Sequence, residues 1–205
     1  MNHVFHRVLG DEMPVAVQGD GVFIIDRDGK RYIDASGGAA VSCLGHSDAD
    51  VRRAIIDQTE KLSFAHTAFF TTEVAEELAE HLIASAPAGL DRVFYVSGGS
   101  EAVEVCLKLA RQYFFETGEL ERRHIIARRQ SYHGITLGAL SAGGHVWRSE
   151  PFEPMLFQAH HIAPCYSYRE QASQESDEAY SRRAADELEA AIQDLGPETV
   201  AAFIA

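Results

Sequence analysis

The chain has 205 residues, of which 46% are hydrophobic and 24% are charged, and these values are typical of a folded globular protein. They exclude a disordered chain. Its 18 lysines and arginines stand against 31 aspartates and glutamates, and the net charge of −13 disfavours nucleic acid as a partner. The three cysteines are widely separated, and no secretory signal or bilayer-spanning apolar run is present. We therefore expect a cytoplasmic protein with no membrane partner.

The first elements are two β-prone runs around a glycine-containing turn. Val22–Ile25 and Arg31–Ile33 flank Asp26–Lys30, which predicts a β-hairpin. The next segment, Ala35–His46, is rich in small residues and has no clear period, so we expect it to be irregular. It is either a close-packed crossover or a lining for a ligand, and the residues favour the two equally.

Two amphipathic helices follow. Ser47 and Asp50 form a capping pair before apolar residues at helical spacing, which predicts a helix over residues 48–62. The stretch 63–71 breaks that period and carries three aromatic residues. Thr72 then caps a second predicted helix, which a proline and a glycine close.

The central motif is a strand that runs through a glycine-bearing turn into a long helix. Arg92–Val96 predicts the strand, and a helix is expected over Ser100–Glu116. Free backbone N–H groups at a helix start favour an anion, and the glycines of the turn let a phosphate come close. We expect Glu101 and Glu104 to point away from such an anion, because they would repel it. The alternative is a plain strand-to-helix turn.

The second half of the chain alternates strands with helices. Strands are predicted over His124–Ala127, Phe157–Ile162 and Thr199–Ala205, and helices over Ile135–Leu140 and Glu178–Leu195. This alternation indicates an α/β protein with a mostly parallel sheet and flanking helices. The final strand is apolar throughout and needs neighbours on both sides, so we expect the chain to be truncated there.

An aromatic loop is predicted near the same edge of the sheet. Tyr132 and His133 follow the strand that begins at His124, and ligands of open α/β folds gather at the carboxyl ends of the strands. The Tyr132 ring stacks on a flat ligand there, or it packs under its own loop. We expect no metal site at His160 and His161, because consecutive strand residues face opposite ways.

Together, these residues resemble the class III aminotransferases, which are pyridoxal 5′-phosphate (PLP) enzymes of fold type I. The resemblance rests on motifs along nearly the whole chain: Gly19–Gly21 with Asp28–Asp34, Leu44–His46, Phe69–Thr71, Ser97–Ala102 with Lys108–Arg111, Tyr132–Gly134 and Pro197–Ala202. It implies that residues 1–47 are a small-domain segment that carries the hairpin. Residues 48–205 are then the first part of the large PLP-binding domain, and a homodimer is implied.

The resemblance also implies a cofactor site. Gly99 and Ser100 match the positions that hold the PLP phosphate through backbone N–H and hydroxyl groups. Tyr132 matches the aromatic residue that stacks on the pyridine ring, and His133 lies beside it.

Substrate residues are implied as well. Ala40 and Val41 align with a segment that lines the substrate pocket. Phe69 and Phe70 align with a loop that reaches the active site of the neighbouring subunit.

No catalytic residue of the family is matched. Transamination needs a Schiff-base lysine and an aspartate at the ring nitrogen, and family members carry both beyond the position of Ala205. Lys30, Lys61 and Lys108 all lie elsewhere. We expect the full-length protein to be an aminotransferase acting on an amino donor and a keto acid or aldehyde, and this chain alone to be inactive. Alternatives are an aminomutase, a racemase or a decarboxylase of the same family, or a lysine-less module that binds PLP or phosphate.

Overall fold

The computed structural model describes residues 3–7, 10 and 12–205. The chain forms two compact units, Met1–Asp91 and Arg92–Ala205. Among the described residues, no helix combines the length and the apolar character needed to cross a bilayer. The assignment of residues 1–47 to a small domain and 48–205 to a large domain stays a prediction.

The first unit opens with a three-stranded antiparallel sheet of order β1-β2-β3. Its strands are β1 (Ala16–Asp20), β2 (Phe23–Asp26) and β3 (Arg31–Ile33). The hairpin prediction is confirmed by the pairing of β2 with β3, in which Ile24 lies opposite Tyr32. The sequence analysis did not predict β1, which pairs along the other edge of β2.

A buried carboxylate holds the hairpin turn together. Asp26 accepts hydrogen bonds from the backbone N–H groups of Asp28 (3.0 Å) and Lys30 (2.9 Å). The Tyr32 hydroxyl also donates to it, at 2.8 Å. This hydroxyl is the main cause that lowers the pKa of Asp26. The turn conformation and the strand register therefore depend on the same side chain.

A second carboxylate organises the segment after the sheet. Asp34 accepts hydrogen bonds from the Ser42 hydroxyl (2.7 Å), His46 Nε2 (2.9 Å) and the Ser36 hydroxyl (3.1 Å). These contacts, the Ser42 hydroxyl first, lower the pKa of Asp34 to about 2. The segment Ala35–His46, which was predicted to be irregular, is therefore hydrogen-bonded to a side chain at the end of β3.

Between these anchors lies a turn of unusual handedness. The short helical turn α1 (Gly37–Ala40) has φ angles of +57° and +57° at its glycines and +58° and +74° at Ala39 and Ala40. Positive φ suits glycine, but it costs a residue with a Cβ atom about 1–2 kcal/mol. The two alanines are therefore strained.

Two helices complete the first unit. Helix α2 (Ala49–Lys61) begins at Asp48, whose carboxylate accepts the Val51 N–H at 2.9 Å. The prediction of Ser47 as the cap is wrong, because its hydroxyl instead accepts the Gly21 N–H at 2.8 Å. Helix α3 (Glu73–Ser85) begins at the predicted cap, Thr72. Neither helix contains a buried residue.

The second unit contains a parallel sheet of order β5-β4-β6, which confirms the α/β prediction. Its strands are β4 (His124–Arg128), β5 (His160–Ile162) and β6 (Val200–Ile204). The strand predicted over Arg92–Val96 is absent from the described structure. A strand needs a hydrogen-bonded neighbour, and none of the three strands pairs with these residues.

Five α-helices and two 3₁₀ helices, Glu150–Met155 and Pro197–Thr199, accompany this sheet. The α-helices are α4 (Gly99–Glu116), α5 (Leu137–Ala142), α6 (Val146–Ser149), α7 (Ser167–Glu170) and α8 (Asp177–Leu195). The buried core consists of apolar side chains from β4, α5 and α8: Ile125, Ile126, Ala127, Ala139, Leu140, Ala142, Tyr180 and Ala184. Because β4 is central and α5 packs beside it, the loop between them has a fixed start and a fixed end.

We predict that Ala39→Gly stabilises the protein by about 0.5–1 kcal/mol, because glycine relieves the strain but adds entropy to the unfolded chain. Ala54→Gly within α2 is the matched control and should destabilise by about 1 kcal/mol. Urea unfolding of both variants measures the difference. A loss of stability in Ala39→Gly would show that the left-handed turn is not strained.

We predict that acid destabilises the first unit because Asp34 becomes protonated. Its pKa falls from the ordinary 3.8 to about 2 on folding, so its stabilising effect is present above pH 3.8. That effect is lost as the pH falls toward 2. In wild type, the unfolding midpoint should fall between pH 4 and 2, and we expect a smaller fall in Asp34→Asn. Asp28→Asn, at an exposed turn position, is the control and should show the same fall as wild type. Equal declines in all three proteins would contradict this role.

Candidate functional site

The N-terminus of α4 presents unpaired backbone donors. Within the described residues, the N–H groups of Gly99, Ser100 and Glu101 make no hydrogen bond, and the first such bond runs from Ala102 N–H to the Gly98 carbonyl at 3.0 Å. Gly98 begins the helix without a side-chain cap. A Cβ atom on Gly99 would meet no atom within 4 Å, so this approach is open. The positive end of an 18-residue helix thus faces open space.

Ser100 joins this helix start to the aromatic loop. Its hydroxyl oxygen accepts the Ile135 N–H at 3.0 Å, which leaves the hydroxyl proton available for another acceptor. Gly134 packs against the same side chain, since a Cβ atom there would lie 2.5 Å from Ser100 Oγ. The structure therefore brings the predicted residues Gly99 and Ser100 next to the loop that carries Tyr132 and His133.

The two acidic residues of the first turns behave differently. Glu104 points away from the helix start, as expected, and accepts hydrogen bonds from the N–H groups of Gly138 (2.7 Å) and Ala139 (3.2 Å) at the beginning of α5. Glu101 was also expected to point away, but its Oε2 lies 3.0 Å from the place of a Cβ atom on Gly98. As the third residue of α4, it turns back along the helix dipole.

The Tyr132 ring is accessible. The residue is 59% exposed, so it is not packed under its loop. The Arg148 guanidinium lies 5.2 Å from the centre of its ring and 4.2 Å from that of Trp147. An exposed tyrosine ring beside a guanidinium is suited to stacking on a flat ligand.

His133 lies on the inner side of this loop. Its Nε2 atom is buried and has no hydrogen-bond partner among the described residues. Burial, and then the neighbouring His161, lower the pKa of His133. The imidazole is therefore neutral near pH 7, and its unpaired nitrogen is the kind of atom that a bound group or a water satisfies.

The histidines of β5 are used within the fold. His160 Nε2 lies 3.3 Å from His124 Nδ1, whereas His161 Nε2 faces the carbonyl oxygens of Ala142 and Gly143 at 3.2 and 3.0 Å. The two neighbours thus point in different directions. The described part of the chain holds no group of three or more His, Cys, Asp or Glu side chains arranged for a metal ion.

The four predicted substrate residues belong to the first unit. Ala40 and Val41 line a cavity of about 440 Å³ together with Leu44. Val41 is 85% exposed, and Phe69 and Phe70 are 79% and 68% exposed. The two phenylalanines are not among the residues that line this cavity. The structure therefore groups the first pair and leaves the second pair on a separate surface loop.

The sequence analysis missed the contacts between Glu104 and α5. A usable signal exists, because Gly134 and Gly138 are four residues apart, as are Ser100 and Glu104 on the facing helix. Arg148 was missed too, and no local pattern marks it. The assembled site offers three N–H donors, a hydroxyl and an exposed aromatic ring, which suits a ligand with an anionic group and a flat ring.

The whole chain is similar to known proteins of one family. A sequence model of the family described as aminotransferase class-III matches residues 8–205. An uncharacterized aminotransferase of Schizosaccharomyces pombe is 44% identical over 205 residues, which are 100% of this chain and 45% of the relative.

Solved structures show the same likeness. An omega-transaminase from Thermomicrobium roseum has a TM-score of 0.90 and 35% identity, with 98% of this chain and 46% of that chain covered. An omega transaminase from Pseudomonas jessenii in complex with PMP has a TM-score of 0.88 and 33% identity, covering 93% and 42%. The chain thus spans less than half the length of each of these relatives.

We predict that Gly134→Ala destabilises the protein by about 2–3 kcal/mol, because the new methyl group meets Ser100 at a backbone with φ of +133°. Gly118→Ala is the matched control, since that glycine has φ of +82° but open space around it. The control should lose only about 1 kcal/mol. Urea unfolding measures both, and equal losses would show that the contact with Ser100 is not tight.

Proposed function

The chain belongs to the class-III aminotransferase family, and from that premise we propose that the full-length protein is a PLP-dependent aminotransferase. It moves an amino group from an amino donor to a keto acid or aldehyde. One observation carries the proposal: the free N–H groups at the start of α4 lie beside the Tyr132 loop, which Ser100 holds in place. An anion site next to an exposed aromatic ring fits a phosphorylated pyridine.

Three residues hold the cofactor in this proposal, and a fourth, His133, lies beside its ring. The N–H groups of Gly99 and Ser100 and the Ser100 hydroxyl bind its phosphate, and the Tyr132 ring stacks on its pyridine. His133 stays neutral and adds no charge beside the ring, because burial lowers its pKa. When bound, PLP supplies an electron sink for the amino-group transfer. The chain's own residues bind and orient it.

The catalytic lysine belongs to another part of the full-length protein. The chain covers 45% of the Schizosaccharomyces pombe relative, and none of its three lysines matches the catalytic position of the family. Lys108 is eight residues after Ser100 on α4, roughly 12 Å away along the helix. We propose that the lysine and the aspartate at the ring nitrogen lie in the length this chain does not span. The 205-residue chain alone then does not transaminate.

The substrate side is proposed from the first unit. Ala40 and Val41 line the substrate pocket, and Phe69 and Phe70 reach the active site of the neighbouring subunit in a homodimer. Large apolar side chains this exposed favour burial against a partner. Residues 1–47 then belong to the small domain and 48–205 to the large domain. All three cysteines are free and exposed, which supports a cytoplasmic location.

The reaction itself is tested on the full-length protein. With PLP, an amino acid as donor and pyruvate, we expect alanine to accumulate in step with loss of the donor. An aminomutase, racemase or decarboxylase shares the cofactor site but gives an isomer, a racemate or carbon dioxide from the amino acid. Detection of one of those products without alanine would contradict transamination and support the corresponding alternative reaction. Binding of PLP without any product would favour the non-catalytic module.

We predict that Ser100→Ala in the full-length protein weakens PLP binding about tenfold, because it removes a hydrogen bond to a charged group. The same change frees the Ile135 N–H and loosens the loop. Ser181→Ala on the exposed face of α8 is the control and should bind PLP normally. Fluorescence titration measures both affinities. Unchanged affinity in Ser100→Ala would remove the hydroxyl from the site.

A further inference from the structure

Two side chains of α4, one helical turn apart, accept hydrogen bonds from the aromatic loop and from the start of α5. Ser100 and Glu104 lie on the same face of the helix, since they are four residues apart. Ser100 Oγ accepts the Ile135 N–H at 3.0 Å, and Glu104 Oε1 accepts the Gly138 N–H at 2.7 Å. The chain from the loop to the start of α5 is therefore held to α4 at two points.

Glycines make this close approach possible. A Cβ atom on Gly138 would stand 2.4 Å from Glu104 Oε2, just as one on Gly134 would stand 2.5 Å from Ser100 Oγ. The spacing from Gly134 in the loop to Gly138 in α5 matches the spacing from Ser100 to Glu104, so this segment has one position along α4. A shift by one residue would bring a side chain against the helix.

Glu104 is an ionised, multiply bonded anchor. The Thr136 hydroxyl, followed by the Gly138 and Ala139 N–H groups, lowers its pKa despite the opposing effect of burial. Hydrogen bonds to a charged acceptor are stronger than those between neutral groups. The Glu104 carboxylate accepts hydrogen bonds from more than one donor, whereas the Ser100 hydroxyl accepts one N–H group. Glu104 thereby caps the first turn of α5.

The ring of Tyr132 has no such anchor of its own. It is exposed, and its recorded ring contact is with the Arg148 guanidinium. Its position relative to the helix start is therefore set by the backbone on both sides of it. Before it, the Ser131 carbonyl accepts the Gly144 N–H at 3.0 Å, and after it, Ser100 and Glu104 hold the chain to α4. Ser100 also offers its hydroxyl to the ligand, whereas Glu104 points away from the helix start and accepts the Gly138 and Ala139 N–H groups.

We propose that Glu104 is a positioning residue for the cofactor ring: it fixes the Tyr132 loop to α4 so that the ring site and the phosphate site keep their spacing. This inference rests on the proposed function, because it assumes that PLP is the ligand. It assigns the two ends of the ligand to different supports. The phosphate group is bound by the start of α4, and the position of the ring is maintained by the hydrogen bonds of Glu104.

The test separates the two ends of the ligand. Full-length apoprotein is titrated with PLP, followed by the circular dichroism of the cofactor's visible band, and inorganic phosphate is used as a competitor for the phosphate site. We expect Glu104→Ala to weaken PLP binding about tenfold and to reduce the dichroism of the bound cofactor. The inhibition constant of phosphate should stay within about twofold of wild type.

Two further variants sharpen the result. Glu104→Gln keeps an oxygen acceptor for the Gly138 and Ala139 N–H groups, so it should restore most of the PLP affinity. Glu116→Gln removes the same charge from the exposed last residue of α4 and should bind both PLP and phosphate as wild type does.

The outcomes are distinct. Equal weakening of PLP and phosphate binding in Glu104→Ala would overturn the positioning role, as would wild-type affinity for both. If Glu104→Ala does not fold, Glu104→Asp decides, because its shorter side chain draws the carboxylate back from the Gly138 and Ala139 N–H groups and should weaken PLP binding but not phosphate binding. A wild-type protein that shows no cofactor band at all would instead overturn the proposed function.

Discussion

The second unit depends on the contact between the start of α4 and the loop after β4. Ser100 accepts the Ile135 N–H, and Gly134 leaves the space that this requires. The contact places an exposed aromatic ring beside free backbone donors, although neither feature alone distinguishes a ligand site from an ordinary turn. Because the Ser100 side chain belongs to α4 and also contacts the loop, it joins the anion site to the ring site.

The first unit follows a different principle, in which carboxylates organise irregular backbone. Asp26 fixes the hairpin turn, and Asp34 holds both ends of the segment that contains the left-handed turn. The strain at Ala39 and Ala40 persists because the surrounding hydrogen bonds determine the path of the chain. That strain falls in the segment proposed to line the substrate pocket.

Much of the fold could be predicted because its signals are local. The cap of α3, the apolar periods of α3, α4 and α8 and the apolar run of β4 are legible in the sequence, and the predicted family is confirmed. The strand at Arg92–Val96 was wrong because a strand exists only with a neighbour. Gly99 and Tyr132 were predicted as site residues from their motifs. Glu104 was not, since its role arises from a contact with α5 that no single stretch of sequence contains.

The Ser100–Ile135 contact joins residues 35 positions apart in the chain, and this separation has a consequence for folding. A loop of that length must close before the contact forms, which costs entropy that local helix contacts do not. The anion site is therefore incomplete while α4 alone is folded, and it is finished when β4 and α5 have packed. A ligand that binds only this finished arrangement stabilises the native state and selects it over partly folded forms.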